Sequence, residues 1–286
     1  MRLVHSAGAG SKESSAMTEI SGPLAALVAV LDGIGPHAVA LSGGVDSLTL
    51  ASAAHTHSIH QTTMFHAVSP AVPVAATARV TDLSNERSWD LTIVDANEFN
   101  NADYMANPVD RCFYCKSDLY GTISGQTTAT VVSGTNLDDL ADYRPGLEAA
   151  DQAAVRHPFV EAAIDKETVR QLATELGLGA MADLPAAPCL SSRVETGLAI
   201  DAEWLRVIDA VETQLSAELS PKTVRCRARA DRIAIELDKE TLSRLSNEQL
   251  SQIQDDVAAL WQKVGVTQEV VVSPYRMGSA FLKVLP

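Results

Sequence analysis

Short apolar runs alternate with longer stretches of mixed polarity through the first half of the chain. His37–Leu41 (HAVAL), Thr63–Val68, Leu91–Val94 and Thr130–Val132 are brief, rich in Ala or β-branched residues and bounded by polar or turn-forming residues, which predicts strands. The segments between them are long enough for helices. Strands spaced in this way pair in parallel with helices on both faces, so the pattern predicts an α/β fold built on a parallel sheet. Pro23 opens an apolar helical stretch (PLAALVAVLDGI), since a proline in the first turn gives up only an N–H that has no helical partner there, and Gly33 to Pro36 break it.

From Asp165 the periodicity changes. Asp165 is placed to cap a helix (KETVRQLATELGLG) ending at Gly177 or Gly179, and a loop rich in Pro and Ala runs from Leu184 to Ser192. An amphipathic helix near Asp201–Glu218 follows, then two alternating strands (KTVRCRAR and DRIAIEL), a helix near Glu240–Lys263 and a strand near Glu269–Ser273. This predicts a smaller C-terminal α+β domain. A length of 286 residues fits two domains, at roughly 150 residues each. Their bounds are read as 23–189 and 190–286, after a disordered leader over 1–22 in which Met17 is an alternative start.

Composition narrows the classes of function. The leader lacks the apolar stretch of an export signal, and the uncharged run from Ser47 to Ala78 holds too much Ser, Thr, Pro and His for a membrane span. A cytoplasmic protein with no membrane partner is expected. Asp+Glu 36 against Lys+Arg 22 gives a net charge of -14, which repels phosphate backbones and argues against a nucleic-acid partner. Four cysteines are too few for a disulfide framework, and Cys112-x-x-Cys115 points to metal or redox chemistry in a reducing compartment.

The first candidate site is Ser42-Gly43-Gly44-Val45-Asp46-Ser47, at the end of a predicted strand and the start of a helix, where open parallel sheets bind ligands. Two glycines let the backbone approach an anion, and the Ser42 and Ser47 hydroxyls join the N–H groups of the helix start. Asp46 would repel a bare phosphate, so its presence implies Mg²⁺ shared with the phosphates. The missing Gly-Lys-Ser/Thr ending excludes a Walker-type NTPase. The turn resembles the PP-loop of ATP pyrophosphatases, which cleave ATP between the α and β phosphates and adenylylate a substrate; the resemblance implies that the turn holds pyrophosphate. Val131-Val132-Ser133-Gly134-Thr135-Asn136 is a second strand end of this kind, with Gly134 as a further nucleotide contact. Asp138 and Asp139 follow it as carboxylates suited to Mg²⁺, with Asp138 as a second ligand, or to ordering a loop over ATP; a solvated loop is the alternative.

The second candidate is sulfur chemistry. Asp110 is placed to cap a helix that presents Cys112 and Cys115 on one face, and Cys189 stands at the domain boundary where a loop can meet the first site. Cys226 falls on an alternating strand and reads as core. The segments SGGVDS, NPVDRCFYCK, SGTNLDDLADYRPG, HPFVEAAIDKETVRQLATELGL, PCLSSR and TVRCRARADRIAIEL, in that order and over about residues 24–280, resemble the LarE-type ATP-dependent sacrificial sulfur transferases. The resemblance implies a PP-loop, adenine nucleotide α-hydrolase-like fold. It also implies an activity: adenylylation of a carboxylate of pyridinium-3,5-biscarboxylic acid mononucleotide and replacement of its oxygen by sulfur, in nickel-pincer nucleotide synthesis. It assigns Cys189 as the sulfur-handling, catalytic cysteine beside Asp46, and Cys112, Cys115 and Cys189 as ligands of a 4Fe-4S cluster fed by sulfide or another sulfur donor. Three thiolates leave the fourth iron of a cubane open. Sacrifice of Cys189 itself, with the pair structural, and a zinc site are the alternatives. A homo-oligomer is the expected assembly.

Arginines complete the candidate set. On the strand at Val224–Arg229, Arg225, Arg227 and Arg229 alternate with apolar residues and form one face suited to a phosphate. The resemblance supports Arg225 and Arg227 as contacts of the mononucleotide, with Arg144 and Arg193 as further candidates. His55, His57 and His60 read as a solvated turn. A PP-loop enzyme thiolating tRNA and a non-catalytic ATP- or metal-binding sensor are the competing functions. The charge opposes the first, and pyrophosphate release would exclude the second.

Overall fold

The computed structural model describes residues 22–141, 145–185 and 188–280. The expected leader, but for Gly22, lies outside the described residues, as does Arg144. Helix α1 (Gly22–Ile34) buries Leu24, Leu27, Val28 and Leu31, the i, i+3, i+4, i+7 stripe of a packed helix. It leads to strand β1 (His37–Ala40), which is buried throughout, and through the glycine turn to α2 (Val45–His57). There follow β2 (Thr62–Ala67), α3 (Val74–Arg87), β3 (Leu91–Val94), a short α4 (Ala102–Met105), α5 (Arg111–Ser124) and β4 (Thr130–Ser133). Helices α6 (Pro145–Gln152), α7 (Pro158–Glu161) and α8 (Lys166–Glu175) complete this half. Asp165 caps α8 by accepting from the Thr168 N–H at 2.8 Å.

The four strands form one all-parallel sheet in the order β3-β2-β1-β4. Residues of α1, α2, α3 and α8 share a core on one face, whereas Tyr120 and Ile123 of α5 and Ala150 of α6 cover the other with Phe65 and Val131. The expected α/β architecture with helices on both faces is what the chain forms. Its order has a consequence: β2 and β4 flank β1 on opposite sides, so the chain reverses direction across the sheet beside β1. The crevice outside the carboxyl ends of β1 and β4 is where such a sheet accepts a ligand.

The second unit comprises α9 (Ala202–Leu219), β5 (Val224–Ala228), β6 (Arg232–Leu237), α10 (Lys239–Arg244), α11 (Asn247–Gln262) and β7 (Glu269–Pro274). Its sheet has the order β5-β6-β7, with β5 antiparallel and β7 parallel to β6. The single helix expected from Glu240 is two, because Ser246 starts a new one: its hydroxyl accepts from the Gln249 N–H while the Gln249 side chain accepts from the Ser246 N–H. Among the described residues no helix is long and apolar enough to cross a membrane.

Candidate functional site

Gly43 takes φ +79°, and a Cβ there would lie 2.9 Å from the Ala76 carbonyl oxygen, so only glycine fits between the turn and α3. The Ser47 hydroxyl donates to the Gly44 carbonyl oxygen at 3.1 Å and accepts from the Ser42 N–H at 3.1 Å, which folds the turn back on the first turn of α2. No side chain caps α2. Its first N–H groups therefore face the crevice with the positive end of the helix dipole behind them. Gly134 closes the opposite wall: a Cβ on it would sit 2.8 Å from the Ser47 nitrogen. The two strand ends singled out in the sequence thus touch, glycine against backbone.

Asp46 points into this junction. Lys166, the first residue of α8, donates from Nζ to both of its carboxylate oxygens at 2.7 and 2.6 Å, and Asn136 Nδ2 donates to Oδ1 at 3.1 Å. Asp138 accepts the Lys166 backbone N–H at 2.6 Å, and Asp139 accepts that of Asn136 at 3.1 Å. Both aspartates of the second strand end therefore order the loop, and Asp138 ties it to α8. Lys166 is a site residue that sequence reasoning did not find. Arg79 of α3 is another, its guanidinium donating to the Gly43 carbonyl oxygen at 2.7 Å.

A cavity of about 730 Å³ runs from Ser42–Gly44 to the second unit and is lined by Cys112, Cys115, Cys189 and Arg225. The three cysteines expected to act together thus share one chamber with the glycine turn. Asp110 stands at the N-cap of α5, but its side chain accepts no hydrogen bond there. Burial pushes the Cys115 thiol well up, Cys189 adds to the effect, and Lys116 opposes it. Glu98, also in the wall, is raised by burial, and its Oε2 is buried with no hydrogen-bond partner. Among the described residues no three His, Cys, Asp or Glu side chains close on a single ion. The ligands of a cubane cluster bind different irons and so stand further apart than those of one ion, and soft thiolates are the donors that iron–sulfur chemistry requires. Cys226 lies in the core, as its strand position implied.

Arg193 holds Cys189 in place. Its Nε and Nη2 donate to the two Glu212 carboxylate oxygens of α9 at 2.9 and 2.8 Å, and its Nη1 donates to the Pro188 carbonyl oxygen at 2.8 Å. The Leu190 N–H donates to the Ala71 carbonyl oxygen at 2.8 Å and Tyr104 shares a 2.6 Å hydrogen bond with Ser191, fixing the other side of the loop. Arg225 and Arg227 separate. Arg225 lines the cavity, and burial and then the Arg193 charge lower its pKa. Arg227 turns to a buried pair with Glu236 at 2.8 Å and donates to the Ser192 carbonyl oxygen at 3.2 Å, while Arg229 also reaches Glu236 at 3.1 Å.

No protein-family model matches the chain. An uncharacterised protein of Synechocystis sp. is 37% identical over 213 residues, 72% of this chain and 78% of that protein. Another uncharacterised protein, from Methanocaldococcus jannaschii, is 28% identical over 221 residues, 73% of this chain and 80% of its own length. The pyridinium-3,5-bisthiocarboxylic acid mononucleotide synthase of Lactiplantibacillus plantarum is 30% identical over 226 residues, 77% of this chain and 81% of that enzyme. With a match of this extent, the chain belongs to the LarE-like family that includes the Lactiplantibacillus synthase.

Proposed function

We propose that this protein is an ATP-dependent sulfur transferase that adenylylates a carboxylate of pyridinium-3,5-biscarboxylic acid mononucleotide and replaces its oxygen with sulfur. The observation that carries the reading is that the glycine turn and Cys189 line one cavity. A carboxylate oxygen is a poor leaving group, whereas an acyl adenylate expels AMP, so activation and sulfur delivery must occur within reach of each other. The Ser42–Ser47 turn would receive the β and γ phosphates, with Arg79 and Lys166 as adjoining cations. The carboxylate attacks the α phosphorus, pyrophosphate departs, and a sulfur nucleophile attacks the acyl carbon and releases AMP. Arg225 would hold the substrate phosphate, and Arg193 keeps the Cys189 loop against α9.

Asp46 and Asp138 are hard oxygen donors suited to Mg²⁺ shared with phosphate, Asp46 being paired with Lys166 in this structure. Cys112, Cys115 and Cys189 would hold the 4Fe-4S cluster, which supplies an open iron for an exogenous sulfur ligand. Two measurements test the reading. Pyrophosphate should appear in a single turnover on addition of the dicarboxylate mononucleotide. Anaerobically purified protein should carry about four irons per chain and turn over repeatedly with sulfide. Iron-free protein that loses about one H₂S in mass (~34 Da) per event, by β-elimination at Cys189, with Cys112→Ser silent, would replace the cluster by a sacrificial cysteine.

A further inference from the structure

Lys116 of α5 is held as few surface lysines are. Its stem lies against Gly146 of α6, where a Cβ would approach its Cγ to 3.1 Å, and its ammonium stands 5.6 Å from the centre of the Tyr120 ring. It lines the same cavity as Cys112, Cys115 and Cys189. Among the described residues no carboxylate is hydrogen-bonded to it or paired with it, although acidic residues outnumber basic ones in this chain by 36 to 22. A half-buried ammonium that lines a cavity with no carboxylate paired to it is suited to an anionic ligand, to which it can make a charge-assisted hydrogen bond.

Its place in the cavity identifies the ligand. It shares the cavity with the thiols, and its charge is felt by His157, which shares a 2.9 Å hydrogen bond with Ser133 at the end of β4. Lys116 thus lines the same cavity as the thiols and Ser42–Gly44 and lies near the end of β4. An anion bound there shares the chamber with the turn that would activate it and the thiols that would deliver sulfur. We infer that Lys116 binds the substrate carboxylate that is to lose its oxygen, and so selects carboxylate over neutral carboxamide rings. This assignment rests on the proposed function for its substrate, but not on the presence of a cluster.

Titration calorimetry on the full chain, with Mg²⁺ and a non-hydrolysable ATP analogue present, provides the test. Nicotinic acid mononucleotide and nicotinamide mononucleotide share ring, ribose and phosphate and differ in the carboxylate. Wild-type protein should prefer the acid by about tenfold or more, as expected for a charge-assisted contact. In Lys116→Met that preference should collapse toward unity with binding of the ATP analogue unchanged, and Lys116→Arg should retain it. Lys116→Gln serves the same purpose should the Met variant fail to fold. Equal binding of the two by wild type, or a preference that survives in Lys116→Met, overturns the assignment and leaves the proposed function standing. Wild-type protein that takes the ATP analogue but neither mononucleotide overturns the substrate reading and this assignment with it.

Discussion

Asp46 and Lys166 are 120 residues apart in sequence and in contact in space, and that separation explains which site residues were legible. The turn residues and Cys112, Cys115 and Cys189 declare their chemistry through neighbours a few positions away. Lys166 reads only as the start of a capped helix, and Glu212 only as a polar position of α9; each acquires a role from the partner the fold brings to it. Asp46→Asn is expected to abolish pyrophosphate release with unchanged circular dichroism, and Lys166→Met to reduce it at least tenfold, as loss of a charge-assisted phosphate contact implies. Normal release in both variants would remove the turn from the reaction. The two strand arginines should also part company. Arg225→Ala is expected to raise the KM for the mononucleotide about tenfold with little change in melting. Arg227→Ala removes one partner of a buried pair and should cost about 3 kcal/mol, somewhat less because Arg229 also holds Glu236. Urea melts of the two variants would distinguish these outcomes; equal stability would contradict the buried pairing.

At the scale of elements, the apolar runs placed all four parallel strands to within a residue or two of their observed bounds; β1, β2 and β4 are buried along most of their length and have to be apolar, whereas β3, at the sheet edge, buries only Val94 and is legible through its β-branched residues. What the runs could not convey was the neighbour order β3-β2-β1-β4, which depends on crossovers that pack on opposite faces of the sheet. The break between α10 and α11 also escaped, since one serine within a continuous amphipathic pattern carries the signal. The contact of β4 with the glycine turn follows from the order and yields a prediction. Gly134→Ala places a methyl group 2.8 Å from the Ser47 nitrogen, where backbone must move. Overpacking of this kind costs about 1–3 kcal/mol, and nucleotide affinity should fall with it. Thermal melting with and without Mg-ATP would check both; an unchanged melt with an unchanged ligand shift would show that the two strand ends are not tightly apposed.

For the molecule as a whole, acid should act first through imidazoles. Burial lowers the pKa of His37, His66 and His157, each of which is hydrogen-bonded in the fold. Above about pH 6.5 these groups are neutral in both states and contribute no pH dependence. As pH falls below that value the unfolded chain takes protons that the folded chain resists, so stability drops by up to about 1.4 kcal/mol per pH unit for each imidazole. The loss stops growing below the lowered folded values. Glu98 and Asp209, whose folded pKa values are raised by burial, act in the opposite sense and soften the fall at lower pH. Urea midpoints across pH 5–8 should show the decline, and His66→Gln should flatten it; a midpoint constant down to pH 5 would mean the imidazoles are open to protonation in the native fold. The clasp of Arg193 on Glu212 has a consequence for the newborn chain. Cys112 and Cys115 emerge from the ribosome about 100 residues before Glu212 does, which at ordinary elongation rates is about 5–20 s. During that interval the thiol pair has no α9 to shut it in, so the exposure of these sulfurs to oxidants is set by the pace of translation.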